Sequence, residues 1–235
     1  MKTKNLFKWK HYQSEIILLT VRWYLRYNLS FRDLVEMMEE RGVPIAHTTI
    51  MRWVHQYGPE LDKQIRRHLK QTNDSWRVDE TYIKVKGQWM YLYRAVDSKG
   101  NTIEFYLSQT RDHKAAKRFF KKALRSFHVS KPRVITVDKN PAYPIAVGEL
   151  RKEKNMPSDM QLRQKKYLNN IMEQDHRFIK KRVRSMLGLK SFRTATYILS
   201  GIETMHMMKK GQTLQGEKSV RNQVNLIHQL FGLPA

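Results

Sequence analysis

Cysteine is absent from all 235 residues, which removes disulfides and thiolate zinc sites from consideration. Long apolar runs are missing too: none approaches the roughly 20 residues that a membrane-spanning helix needs. The start, Met1-Lys2-Thr3-Lys4-Asn5-Leu6-Phe7-Lys8-Trp9-Lys10, is basic. It lacks a signal-peptide core with a small-residue cleavage site, because Ile16-Ile17-Leu18-Leu19 is short and runs on to Arg22. An intracellular protein without a membrane partner is expected. Acids are scarce, 21 Asp+Glu against 45 Lys+Arg, for a formal net charge of +24. Self-repulsion on that scale works against folding and calls for a polyanion. Nucleic acid fits better than a membrane surface, since cations that neutralise phosphates release counterions and gain affinity. The 40% hydrophobic content and five tryptophans nevertheless describe a chain that folds.

The period is helical at first. Ser14 to about Tyr27 carries Ile17, Val21, Tyr24 and Leu25 on one face. Ser30 followed by Asp33 resembles a capping box at the start of a second helix, with Leu34, Met37 and Met38 as its buried stripe and Gly42 as its stop. A third helix is expected from Thr49 to about Tyr57, capped by His47 or Thr48 and closed by Gly58-Pro59. This is the outline of a helix-turn-helix, in which Thr48, Thr49, Met51, Arg52 and His55 face a major groove while Ile50, Trp53 and Val54 pack inward. A plain three-helix bundle has the same pattern; the net charge favours DNA. His47 and His55 read as a cap and a surface residue rather than as metal ligands.

After Asn73-Asp74-Ser75 the period becomes alternating. Trp76–Val85, Gln88–Val96 and Thr102–Leu107 read as strands of an antiparallel meander, with Lys86-Gly87 and Asp97-Ser98-Lys99-Gly100-Asn101 as turns. A basic helix over Lys114–Phe127, a buried strand over Val134–Val137, a helix over Pro141–Lys152, a short strand at Met160-Gln161-Leu162 and a helix from about Asn169 to Val183 follow. That order is the order of a ribonuclease H-like fold, so the expected fold class is α/β, an α+β mixed sheet flanked by helices. An all-α helix-turn-helix domain precedes it. The expected domains are residues 1–70, 71–187 and 188–235. In the last, Ser191–Lys210 reads as a helix that covers the core or pairs with a second subunit. A short helix around Val224–Phe231 follows, assigned to core packing.

Three acids stand out in this basic chain. Asp79 lies in Trp76-Arg77-Val78-Asp79-Glu80-Thr81, Asp138 ends Val134-Ile135-Thr136-Val137-Asp138, and Glu173 lies on a helix with 34 residues between it and Asp138. Neighbouring central strands can set Asp79 beside Asp138, and a helix across the sheet can bring Glu173 to the same end. Three carboxylates then hold two cations for in-line phosphoryl transfer. Oxygen-only ligands suit Mg²⁺, with Mn²⁺ as a substitute. Singly, each acid is more often a turn, cap or solvated residue; it is the joint pattern that points to a site. Asp97 is the main decoy and reads as a turn residue, and Glu80 is expected on the strand face opposite Asp79. Glu173, His176, Arg177 and Lys180 recur at i, i+3, i+4 and i+7, on one helix face. Ten Lys/Arg against two acids from Gln161 to Arg193 exceed what a salt bridge to Glu173 requires, so Arg177, Lys180 and His176 are candidate DNA contacts.

Val78-Asp79-Glu80-Thr81-Tyr82, Trp89-Met90-Tyr91-Leu92-Tyr93-Arg94-Ala95-Val96-Asp97, Thr136-Val137-Asp138-Lys139-Asn140-Pro141-Ala142-Tyr143 and Lys166-Tyr167-Leu168-Asn169-Asn170-Ile171-Met172-Glu173-Gln174-Asp175-His176 resemble signatures of DDE transposases of the bacterial insertion-sequence-six family. The similarity extends to Ser30–Leu34 and His47–Val54. It implies an integrase-like core with Asp79, Asp138 and Glu173 as catalytic Mg²⁺ ligands and Lys180 as their basic companion. It also implies binding of terminal inverted repeats in double-stranded DNA, release of 3′-hydroxyls and their joining to target DNA, with cointegrates as products. A homodimer or higher oligomer that synapses two ends, in the bacterial cytoplasm and at the nucleoid, is the implied setting. Met51, where an aromatic is common, and Val137 before the second Asp depart from the pattern. The thiolate zinc module of some relatives has no cysteines here. A DNA-binding regulator that has lost catalysis and a nuclease without strand transfer are the alternatives. The intact acid triad disfavours the first, and the amino-terminal DNA reader disfavours the second.

Overall fold

A computed structural model describes residues 6–8, 10–165, 170–186, 189–215 and 219–234. Three helices come first, α1 (Ser14–Arg26), α2 (Phe31–Glu39) and α3 (His47–Ile65), and a 3₁₀ turn at Arg66–His68 leads onward. Then come β1 (Ser75–Val85), β2 (Gln88–Asp97), β3 (Thr102–Ser108), α4 (His113–Leu124), β4 (Val134–Val137), α5 (Ala142–Lys152) and β5 (Gln161–Gln164). The last elements are α6 (Asn170–Ser185), α7 (Phe192–Lys209) and α8 (Val220–Leu230). Residues 166–169 of the fourth motif and Gly188 lie outside the described residues.

The chain forms two units, residues 69–183 and residues 1–68 with 184–235. The amino-terminal helices therefore share a unit with α7 and α8, where the sequence reading separated residues 1–70 from 188–235. The reason lies in α7, which is buried on nearly every side from Ile198 to Met208 and packs along α3 and α1.

Sequence and structure agree at α2. Ser30 Oγ accepts from the backbone N–H groups of Arg32 and Asp33, while Asp33 Oδ2 accepts from Ser30 N at 2.7 Å. They differ at α3. This helix runs for 19 residues through Gly58-Pro59 instead of ending there. Its amino end sits at Ala46, with no side-chain cap from His47 or Thr48. Proline removes one helical hydrogen bond, but the lost bond is outweighed by tertiary burial of Tyr57, Leu61 and Ile65. Gly58 has a packing role: a Cβ there would lie 2.9 Å from the Tyr197 carbonyl oxygen, and α7 presents Gly201 at the same crossing.

In the second unit the strands order as β3-β2-β1-β4-β5. β1–β2 and β2–β3 pair antiparallel, while β1–β4 and β4–β5 pair parallel. This mixed sheet with its helices is the ribonuclease H-like arrangement. Lys86 and Gly87 take positive φ between paired Val85 and Gln88, as a tight hairpin turn demands. Asp97 is the turn residue expected, its Oδ1 accepting from the N–H groups of Lys99 and Asn101 at 2.9 Å each. Phe119 and Phe120 of α4 and Tyr143, Val147 and Leu150 of α5 close over Trp76, Val78, Tyr93, Ile135 and Val137 of the sheet. This core packs across β1 and β4, which pair side by side.

Candidate active site

The two central acids are brought together by strand register. β1 and β4 pair Arg77 with Thr136, so two residues further along each strand Asp79 faces Asp138. Carboxylate oxygens of Asp79, Glu80 and Asp138 all lie within 4.8 Å of one another. Asp79 Oδ1 accepts from Glu80 N at 2.9 Å, and Asp138 Oδ1 accepts from Asn140 N at 3.0 Å. Burial, and then the charges of Glu80 and Asp138, push the Asp79 carboxyl up to about 7. Crowded oxygen donors of this kind, with no soft ligand among them, fit a hard divalent cation that would relieve their repulsion.

Glu80 belongs to the buried strand face with Trp76 and Val78, opposite Asp79 as alternation requires. Its carboxylate nevertheless reaches the acid cluster, which alternation alone does not predict. Its side chain is only 1% exposed. Oε1 accepts from Arg111 Nε and from Asn140 Nδ2 at 3.2 Å, and Oε2 accepts from the Tyr143 hydroxyl. Arg111 Nη2 continues to Asp138 Oδ2 at 3.4 Å. Burial and the neighbouring Glu80 raise the Tyr143 hydroxyl well above its ordinary range, so it stays a donor. The sequence signal for this network was present in Asn140-Pro141-Ala142-Tyr143, but nothing local links it to Arg111.

Glu173 stands on the exposed side of α6 and outside that group of three acids. The four helix positions expected on one face do not share one environment. Met172, Asp175, His176, Ile179 and Arg182 are buried, whereas Glu173, Arg177 and Lys180 are exposed. His176 is 5% exposed, which corrects its reading as a DNA contact: it faces inward, with Nδ1 3.9 Å from Asp79 Oδ2. Burial, then the charges of Arg94 and Lys180, hold its imidazole down at about 3, so it is neutral beside Asp79. α6 is also tied to the sheet by Asp175, whose Oδ2 lies 2.6 Å from Arg94 Nη1 on β2.

In the helical unit, Thr48 and Arg52 are exposed, Thr49, Met51 and His55 are half-buried, and Ile50, Trp53 and Val54 are buried. A cavity of about 490 Å³ flanks this face, with Arg32, Thr48, His55 and Lys190 in its wall and no acid in its lining.

A family model described as a DDE domain, DDE_Tnp_IS240, matches residues 73–212. The transposase for insertion sequence-like element IS431mec of Staphylococcus aureus is 39% identical over 206 residues, 88% of this chain and 89% of that one. The chain belongs to the DDE transposases of the insertion-sequence-six family. The transposase for IS257 in transposon Tn4003, also from Staphylococcus aureus, is similar to the same extent, 39% identical over 206 residues. Among solved structures, the HTLV-2 integrase catalytic core domain in complex with magnesium (trimeric form) is similar at 17% identity and a TM-score of 0.44, over 57% of this chain and 85% of that one. This transposase is a DNA-recombining enzyme whose acidic cluster lies just beyond the paired stretch of β1 and β4. None of its described helices is long and apolar enough to cross a membrane.

Proposed function

We propose that the transposase uses Asp79, Asp138 and Glu173 to hold two Mg²⁺ ions, with Mn²⁺ as a substitute. With them it cleaves DNA at terminal inverted repeats to expose 3′-hydroxyls, which it joins to target DNA to give cointegrates. The observation that carries this reading is the juxtaposition of Asp79 and Asp138 on neighbouring parallel strands, within one group of oxygens 4.8 Å across. Glu173 lies on the helix whose His176 meets Asp79, one turn away along α6. That attachment supports Glu173 as the third ligand.

The chemistry a bound pair of divalent cations supplies is activation of the attacking oxygen and neutralisation of the leaving one. The remaining work belongs to the chain. In cleavage, water oxygen bonds to phosphorus as the P–O3′ bond breaks, and the electron pair and a proton end on the 3′-oxygen. In joining, that hydroxyl bonds to a target phosphorus as another P–O3′ bond breaks, so phosphodiester bonds are conserved. Arg177 and Lys180, exposed beside Glu173, contact the flanking phosphates. Thr48, Thr49, Arg52 and His55 read the repeat in the major groove. Two copies synapse the two ends, in the bacterial cytoplasm and at the nucleoid.

The test is incubation of the purified protein with Mg²⁺, candidate end DNA and a plasmid target. Joined products are expected, and Glu173→Gln is expected to bind the repeat while losing joining. Full joining by that variant would falsify the ligand assignment.

A further inference from the structure

The network behind Asp79 and Asp138 contains a cation that the three-acid reading leaves without a task. Arg111 lies between β3 and α4, immediately before Asp112, whose Oδ1 accepts from Ala115 N at 2.7 Å and caps α4. Its guanidinium is gripped along one edge: Nε donates to buried Glu80, and Nη2 reaches Asp138 Oδ2 at 3.4 Å. Glu80 is itself held by Tyr143 and Asn140, from α5 and the loop before it. Three elements thus converge to aim one side chain, yet 37% of the Arg111 side chain remains open to solvent.

We propose that Arg111 contacts the scissile phosphate, and that Glu80 is the positioning residue that holds it there. This rests on the reading of Asp79 and Asp138 as the reaction centre. A phosphate brought to Asp138 arrives within reach of a guanidinium already in contact with that carboxylate. The planar fork pairs with two phosphate oxygens at once, which a lysine cannot do. As the P–O bond to the attacking oxygen forms and the P–O3′ bond breaks, negative charge gathers on the non-bridging oxygens. A fixed guanidinium stabilises that charge without reorganising. A purely structural Arg111 would have a different consequence, because it would serve only to hold mutually repelling acids in place.

The two roles separate in a cation-binding measurement made without DNA. Arg111→Met, Arg111→Lys, Glu80→Gln and Asp138→Asn are compared for joining of a pre-cleaved end and for Mn²⁺ affinity by electron paramagnetic resonance. Arg111→Met is expected to slow joining roughly 100-fold, while binding Mn²⁺ as well as or better than the parent, since a competing positive charge is gone. Arg111→Lys keeps the ion pair with Glu80 but loses the fork, and is expected to slow joining roughly tenfold. It carries the test should the Met variant fold poorly. Glu80→Gln is expected to slow joining less than Arg111→Met does, and to add little in the double variant. Joining within twofold of the parent in both Arg111 variants overturns the proposal. So does slow joining accompanied by weakened Mn²⁺ binding, which assigns Arg111 to holding the acids. Parent-like joining by Asp138→Asn would instead remove the site reading underneath; loss there with normal Arg111 variants removes this inference alone.

Discussion

Arg94 on β2 and Asp175 on α6 form an ion pair, Nη1 to Oδ2 at 2.6 Å, with side chains 0% and 6% exposed. The approach is close without being aligned as a hydrogen bond. It ties the helix bearing Glu173 to β2. Removing one partner strands the other charge out of water, which costs about 3–5 kcal/mol. Arg94→Met is therefore expected to lower the urea midpoint sharply. Arg94→Met combined with Asp175→Leu should recover much of that loss while leaving joining impaired, because apolar packing restores stability without restoring register. Full joining by the double variant would show that the pair does not set the position of Glu173.

Asp79 and His176 give the cation-free protein opposed pH dependences. Asp79 has its carboxyl raised from 3.8 to about 7, so it favours the folded state below 3.8 and that contribution disappears as pH rises through 7. His176 is depressed from 6.5 to about 3, so its contribution is present above 6.5 and lost as pH falls through 3. Between 3.8 and 6.5 the two largely offset. Asp79→Asn should make stability fall more steeply on acidification across that window, and His176→Gln should make it fall less. Urea titrations at several pH values give the slopes; identical slopes in both variants would contradict the assigned shifts.

The crossing of α3 and α7 predicts different couplings for two similar substitutions. A Cβ on Gly201 meets the ends of the Leu25 side chain, Cδ1 at 2.6 Å and Cδ2 at 2.7 Å, before it meets Gly58 Cα at 3.2 Å. A Cβ on Gly58 meets the Tyr197 carbonyl oxygen at 2.9 Å, which is backbone. Each alanine is expected to destabilise by about 1–3 kcal/mol. Leu25→Ala should couple favourably with Gly201→Ala and not with Gly58→Ala in thermal unfolding.

Arg52 is exposed on the face of α3 expected to read DNA. Arg52→Ala should weaken binding to the cognate repeat by about 1–3 kcal/mol if it contacts a base. Equal losses on cognate and unrelated duplexes in a competition assay would make it a phosphate contact instead.

Much of the fold follows from periods of a few residues. Alternation in Trp76–Val85, the Lys86-Gly87 turn, the Asp97 turn and the Ser30–Asp33 cap all rest on neighbours in the chain. The structure reproduces the strand, the turns and the cap, but burial along β1 changes phase at Glu80-Thr81, where two neighbours are both buried. Asp79 and Asp138 were legible for the same reason, since each ends or interrupts an apolar strand. The end of α3 was not. Gly58-Pro59 reads locally as a stop, and only the packing of Tyr57, Gly58 and Leu61 reverses it.

The sequence by itself determined the strands, the family motifs and the two acids that meet. Tertiary structure alone decided what surrounds them. Glu80 meets Arg111 across 31 positions and Tyr143 across 63. His176 turns inward to Asp79 while Glu173, three residues earlier on the same helix, stays in solvent. Local periodicity assigns a residue to a face of its own strand or helix. Which side chain fills the space opposite is set by how the elements pack together.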